Sequence, residues 1–291
     1  MFGCGYVGGE LARQALARGM RVTALTRNAA RAAALAAEGA AAVVAELSSD
    51  AWHARIPGDV DCAVNCVGAG GGGLAGYRRS YRDGMRSLLA WAARARPGSL
   101  VYTSSTSVYP QGTTPGGAPP VLDEAAPTDP PGRATSAVLR ETEELLRAAA
   151  APPPAGRWFI LRLAGIYGPG RHRLLDQVRG GEVDGAPDHL LNLVHRDDVC
   201  GALWAVLTAP PDLPDGIFNV ADDAPSTRRE IALWLAARLA LPVPRFAGGP
   251  AEGRRAPAPE RVISNARLKR LLGWRPRYPG FREGYENLLS R

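Results

Sequence analysis

Lysine is almost missing from this chain. Of 35 basic side chains only Lys269 is a lysine and the other 34 are arginines. Any catalytic role that needs an ammonium group therefore has one residue to draw on, near the far end. Cysteine is sparse as well. Cys4, Cys62, Cys66 and Cys200 show no CxxC pairing, which argues against a zinc site or a disulfide framework and leaves reduced thiols. The four histidines, His53, His172, His189 and His195, have neither HxxxH nor HExxH spacing, so no metal site is expected. Long apolar runs are missing too: none reaches the roughly 18 uncharged residues a membrane span needs. No basic-then-apolar leader with a small-residue cleavage site opens the sequence. A soluble, cytoplasmic protein with no membrane partner is the expectation.

What is present suits a folded α/β protein. With 291 residues, 46% of them apolar, the chain can bury a large core in one α/β domain or in a nucleotide-binding domain with a smaller lobe. The formal net charge of +7 would suit a nucleic-acid partner if the cations were clustered. They are scattered singly beside Glu and Asp along helix-like segments, and GC-rich codon usage accounts for the arginine, so no nucleic-acid partner is expected.

Strands and helices alternate through the first half. A helix reads from residues 10–18 and a short buried strand over 21–26 (RVTALT). A second, Ala-rich helix leads to AAVVAEL and then VDCAVNCVG, apolar throughout as a strand covered on both faces should be. A helix over 81–95 precedes SLVYTSSTSVYP, and another over 135–151 precedes RWFILRLAG. Helices of this length between strands mean crossovers and a parallel sheet. The Pro/Gly-rich stretch 111–132 reads as loop, as does the breaker PPPAG at 152–156. Beyond Ile166 the pattern loosens into short strands (LLNLVH, GIFNVA), helices over 196–207 and 227–241, and a proline-punctuated end with two short helices. No internal repeat is visible. The fold class is α/β: a Rossmann-like doubly wound parallel sheet in residues 1–165, completed by parts of 191–222, and a small C-terminal substrate lobe in 166–291.

The chemistry starts at GCGYVG. Gly3 permits a tight turn, Gly5 lets backbone approach a diphosphate, and Gly8 lets the following helix pack on its strand, while Cys4, Tyr6 and Val7 complete the loop. A helix start beside that turn favours an anion. The spacing to the end of the next strand, about 20 residues, is that of a βαβ dinucleotide unit. At that strand end an acid would favour NAD and an arginine would accommodate the 2′-phosphate of NADP. Thr26, Arg27 and Asn28 stand there, with Arg31 one turn on, so NADP is expected and NAD is the alternative. Arg27 as an ordinary surface charge is the competing reading. Only Met1 and Phe2 precede the loop, about 7 Å of strand. A start codon several residues upstream, supplying a full first strand, is the expectation. Gly68, which opens the glycine-rich run 68–73, suits close backbone approach to a cofactor or a plain flexible loop.

These motifs together resemble an atypical or extended short-chain dehydrogenase/reductase of the NAD-dependent epimerase/dehydratase family. GCGYVG resembles its cofactor loop, LVYTSSTSVYP its Ser/Thr catalytic segment, and LRLAGIYGPGR its RxxxxYGP segment. NLVHRDDVCGAL, FNVADDAPSTRREI and the close SNARLKRLLGWRPRYPGFREGYENLL resemble the segments that follow. The resemblance implies hydride exchange with a nicotinamide, a small-molecule substrate of which nucleotide sugars are the commonest kind, Ser105 as the catalytic hydroxyl with Ser104 beside it, and a homodimer through the helices near 81–95 and 135–151.

The resemblance breaks at the proton-handling pair. The family places a Tyr on the helix after the catalytic segment and a Lys four residues later, where i and i+4 share a face, so that the ammonium lowers the phenol's pKa. The corresponding PPGRATSAVLRETEELL holds neither. Aligning on Glu143 puts Thr135 and Leu139 at those positions; sliding by one gives Ser136 and Arg140. Two readings follow. One is an oxidoreductase that uses Ser105 and an acid from elsewhere, with Tyr109, Tyr167 and His195 as candidates and Arg140 as a partial stand-in for the lost cation. The other is a sensor or scaffold that binds the dinucleotide without turnover. Each candidate also has a structural reading: Tyr109 as packing in a cleft wall, Tyr167 as an organiser of the IYGPG turn, His195 as the end of a strand before an Asp-capped helix. Arg162 and Arg171 flank the expected cleft as anion-holding groups or surface charges.

Overall fold

The computed structural model describes residues 1–110, 118–128, 133–149, 156–247 and 260–290. Much of the three proline-rich segments at 111–132, 152–156 and 248–259 therefore lies outside the described residues. In chain order the elements are α1 (Tyr6–Ala17), β1 (Thr23–Thr26), α2 (Ala29–Ala37), β2 (Ala41–Val44), β3 (Cys62–Asn65), α3 (Gly73–Tyr77), α4 (Gly84–Ala95), β4 (Ser99–Ser105), β5 (Val121–Leu122), α5 (Ala134–Ala148) and β6 (Arg157–Leu163). Then come β7 (Gly165–Tyr167), α6 (Arg173–Arg179), β8 (Glu182–Val183), β9 (Leu190–Leu191), β10 (Leu193–His195), α7 (Arg196–Leu207), β11 (Gly216–Val220), β12 (Ser226–Thr227), α8 (Arg228–Arg238), β13 (Arg245–Phe246), β14 (Val262–Ile263), α9 (Ala266–Leu272) and α10 (Phe281–Leu289). They divide into two compact units. Unit 1 comprises 1–108, 128–162 and 202–218; unit 2 comprises 109–127, 163–201 and 219–290 of the described chain.

Unit 1 is built on one sheet in the order β2-β1-stub-β3-β4-β6-β11. The stub is Phe2, which bridges Leu25 and Asn65 in parallel. The pairs β1–β2 and β3–β4 are parallel as well. Reading outward from the stub, the chain builds first to one side (β1, β2) and then to the other (β3, β4), so the stub and β3 mark the point where strand order reverses. Ligands of open α/β sheets bind outside the carboxyl ends of strands at such a point. β3, β4 and β6 bury nearly every side chain, as strands with helices on both faces must. Phe2, Trp52, Trp91, Met85, Leu88, Leu100, Tyr102 and Ile160 form the main core, with Phe2 edge-on to both Trp52 and Trp91.

The first strand is as short as its two residues allow. The Met1 ammonium donates to Thr23 oxygen at 2.7 Å, Leu25 N–H to Met1 oxygen at 2.8 Å, and Phe2 N–H to Val64 oxygen at 2.8 Å. Burial holds the terminal ammonium below its ordinary pKa. Next to the stub a cavity of about 760 Å³ opens, walled by Met1, Thr23, Cys62, Val64 and Trp91 among others.

Unit 2 has its own core, in which Tyr167, Leu175, Val178, Val183, Ile231, Leu235, Phe281 and Tyr285 pack together. Four two-strand ladders frame it: β7 with β10, β9 with β12, β8 with β13, and β5 with β14. Three of these use strands of two residues, too short for a periodic signal. β5 lies inside the stretch read from its prolines and glycines as loop, where Val121 and Leu122 pair in parallel with Val262 and Ile263. The helix expected over 81–95 begins earlier: α3, a π-type turn at Arg78–Asp83 and α4 run on from Gly73. Gly76 permits the early start, since a Cβ there would meet Gly71 oxygen at 1.8 Å. Helix α8 opens on a full capping box between Thr227 and Glu230.

Candidate active site

Four sequence-identified features meet at the carboxyl edge of the unit 1 sheet, each at a strand end. The Gly3–Gly8 turn leaves the stub, Arg27 and Asn28 follow β1, the glycine run 68–73 follows β3, and Ser104 and Ser105 close β4.

The turn is tightly wound. Gly3 has φ +81°, and a Cβ on it would stand 2.6 Å from the Val67 backbone. Gly8 is buried, with Gly3 oxygen 2.4 Å from where its Cβ would be. Side chains are thus excluded at both positions, and loop backbone packs against backbone. Gly5 differs. Its φ is −83° and the nearest atom to a Cβ would be Arg31 Nη1 at 3.8 Å. No packed atom excludes a side chain there, so the open space at Gly5 is available to a ligand. Gly5 is also the N-cap of α1 and supplies no side-chain cap, while the first turn of any helix presents N–H groups lacking acceptors inside the helix. Cys4, buried beneath the turn, has its thiol pKa raised by that burial.

Two arginines border the cradle. Thr26 is buried, its hydroxyl accepting Asn28 N–H at 3.2 Å, and Asn28 caps α2 by accepting Arg31 N–H at 2.9 Å. Those turns leave Arg27 exposed, its guanidinium 3.5 Å from Glu46 and flush against Gly70. Arg31 reaches back to Cys4 oxygen at 3.4 Å. Gly68 itself is exposed with open space about it.

On β4, Ser104 is buried and donates to Glu143 of α5 at 2.5 Å. Arg162 donates to both oxygens of the same carboxylate at 2.7 and 3.1 Å, and both side chains of the pair are at most 5% exposed. Ser105 is half-buried, its hydroxyl accepting Ser107 N–H at 3.2 Å. Because Glu143 is pinned to Ser104, the α5 face turned toward the sheet also carries Leu139, which is buried, and Thr135, which is half-buried. Arg140 lies half-buried on the flank of that face. Ser104 is thus held by a carboxylate, while Ser105 stands half-buried beside it.

In unit 2, Tyr109 is buried and its hydroxyl donates to Asn219 Oδ1 at 2.7 Å. Burial raises the Tyr167 phenol well above its ordinary value, and that hydroxyl donates to Gly280 oxygen at 3.4 Å. His195 is fully buried between the rings of Tyr167 and Tyr278, with Nδ1 accepting Asp197 N–H. Each is built into the core of that unit. Sequence reasoning passed over Glu46 and Asp222. Asp222 is 4% exposed; one oxygen accepts Ala224 N–H and the other meets no donor among the described residues. Burial raises its carboxyl to about 7. Asp198, which accepts the backbone N–H groups of Arg277 and Tyr278, is raised to about 6 by the same cause. Neither had a signal beyond an Asp–Asp doublet.

A doubly wound parallel sheet with a glycine-wound turn at its reversal point is the Rossmann-like architecture. The chain belongs to the NAD dependent epimerase/dehydratase family, whose model matches residues 3–221. It is 30% identical over 199 residues to protein YeeZ of Escherichia coli strain K12, an alignment covering 68% of this chain and 65% of that relative, so less than two thirds of the relative's own length is matched. It is 28% identical over 224 residues to a 3-diazoavenalumate denitrifying reductase of a Streptomyces species, covering 71% of this chain and 70% of the relative. The fold is shared with DesIV, a dTDP-glucose 4,6-dehydratase from Streptomyces venezuelae solved with NAD bound. The TM-score is 0.79 at 22% identity, over 99% of this chain and 94% of that one.

Proposed function

We propose that the chain is an oxidoreductase that uses NADP(H) on a small carbonyl or hydroxyl compound. The observation that carries this reading is the cradle: a turn in which Gly3 and Gly8 are required by backbone contacts while Gly5 is left open toward a ligand, bordered by Arg27 and Arg31 with no acid at the end of β1. Gly3, Gly5 and Gly8, with Cys4, Tyr6 and Val7 between them, would hold the diphosphate; Arg27, Asn28 and Arg31 would face the adenosine 2′-phosphate. When bound, the nicotinamide supplies hydride exchange. Ser105 holds the substrate oxygen by a hydrogen bond, and Ser104, fixed by Glu143 and Arg162, keeps the end of β4 at a set distance from α5.

One observation favours a second reading, a dinucleotide-binding sensor without turnover. Leu139, an apolar residue, occupies the buried α5 face in register with Glu143, and no lysine or tyrosine lies on that helix. The nucleotide-sugar substrates in the names of some structural neighbours give the first compounds to try. The deciding experiment mixes the protein with NADPH or NADH and a panel of carbonyl compounds and nucleotide sugars, following absorbance of the reduced nicotinamide. Turnover that falls at least tenfold in Ser105→Ala supports the enzyme. Tight binding with no turnover anywhere in the panel supports the sensor, and binding of neither dinucleotide overturns both.

A further inference from the structure

At the end of β1, Arg27 is held from two sides. Its Nη1 lies 3.5 Å from Glu46 Oε1, and its Nη2 lies 1.8 Å from the point a Cβ on Gly70 would occupy. Gly70, at φ +65°, has no side chain to push the guanidinium away. The carboxylate comes from the segment just beyond β2, the neighbouring strand, and it reaches Arg27 on the same carboxyl edge as the cradle.

This matters for what Arg27 can recognise. A guanidinium presents a planar fork of donors suited to a carboxylate or to a phosphate, but one face of the fork cannot fully serve both. An anion already resting on Arg27 competes with an incoming 2′-phosphate and repels it. The same carboxylate does not repel a ribose 2′-hydroxyl, to which it can act as acceptor. The pair is partly exposed, 39% for Arg27 and 48% for Glu46, so solvent screens it and the effect is modest.

We infer that Glu46 is a specificity-determining residue, a resident counter-ion on Arg27 that narrows the preference of the cradle for the 2′-phosphorylated dinucleotide. The inference rests on the dinucleotide reading above. It departs from it in assigning to a residue outside the glycine motif the control of the ratio between the two cofactors.

The test measures dissociation constants of NADPH and NADH by fluorescence of the reduced nicotinamide for wild type, Glu46→Gln, Arg27→Ala and the double variant. Glu46→Gln is expected to tighten NADPH about two- to fivefold, the scale of one exposed ion pair, and to leave NADH within a factor of about 1.5. Arg27→Ala is expected to weaken NADPH about tenfold and to remove most of the gain from the Glu46 substitution, leaving the double variant within about twofold of Arg27→Ala through the repulsion that remains. A Glu46→Gln protein whose NADPH affinity is unchanged, or whose two affinities move together, overturns the inference while leaving the dinucleotide reading in place. Failure of every variant and the wild type to bind either cofactor overturns the reading itself. Matching circular dichroism and thermal midpoints confirm that the exposed substitutions leave the fold intact.

Discussion

Glu143 and Arg162 show how much one residue pair can decide. Both are withdrawn from water, the guanidinium meets both carboxylate oxygens, and Ser104 adds a third donor. Removing one partner leaves an uncompensated buried charge, which costs about 3–5 kcal/mol. Glu143→Ala is therefore expected to lower the urea midpoint sharply. A double replacement by Glu143→Leu and Arg162→Met, which removes both charges, is expected to recover most of the loss. A double variant no better than Glu143→Ala would show that the pair's hydrogen bonds, and not the orphaned charge, carry the effect. Legibility at this scale was uneven. The tight turn at Gly3 and Gly8 could be read from spacing, because backbone packed this closely admits only glycine. Arg27 could be read from its offset. Its partner Glu46 could not, since an exposed ion pair between two loops leaves no periodic trace.

Among elements, the stub is the unusual one. Parallel strands direct the N–H and C=O of a residue to the same side, and Thr23 oxygen accepts from Met1 and Val64 oxygen from Phe2, so the Thr23 and Val64 amides face the gap beside Met1. The cavity of about 760 Å³ lies there. Adding four or five β-branched residues ahead of Met1 is expected to pair those amides, fill the cavity and move the charged terminus into water. Differential scanning fluorimetry should then show a rise of about 2–3 °C, the shift that roughly 1–2 kcal/mol gives a chain of this size. An unchanged midpoint would mean that the groove does not accept a strand. The helix expected over 196–207 falls there, enclosed on every side, and the one expected over 135–151 starts at Ala134, runs through the described residues to Ala148 and buries one face. The two-residue ladders of unit 2 and the early start of the helical run at Gly73 were illegible, the first for lack of length and the second because a glycine-rich sequence carries little helix signal.

Across the whole molecule, each unit closes its own core, and the parallel, doubly wound order followed from the alternation of apolar strands with helices. What the pattern could not carry was the cost of burying particular charges. Asp222 and Asp198 hold their protons more tightly in the folded chain, at about 7 and 6, than an unfolded aspartate does. A raised folded value means that the folded state binds the extra proton, so these groups destabilise the protein progressively as pH rises from about 4 to 7. The thermal midpoint of Asp222→Asn, relative to wild type, is expected to be near equal at pH 4 and increasingly higher toward pH 8. A difference that stays constant with pH would show that Asp222 is charged throughout.

The claim on which everything else rests is that the opening glycine turn holds a dinucleotide, and Gly5 offers its cleanest test. Packing leaves room for a methyl group at that position, the nearest atom standing 3.8 Å from it, so Gly5→Ala is expected to remain folded. The methyl would project into the space the diphosphate needs. Titration of NADPH into both proteins, read by nicotinamide fluorescence, is predicted to show saturable binding by wild type and a loss of at least about 100-fold in Gly5→Ala, measured well below the thermal midpoint of each. Equal affinity in the two folded proteins would contradict the account.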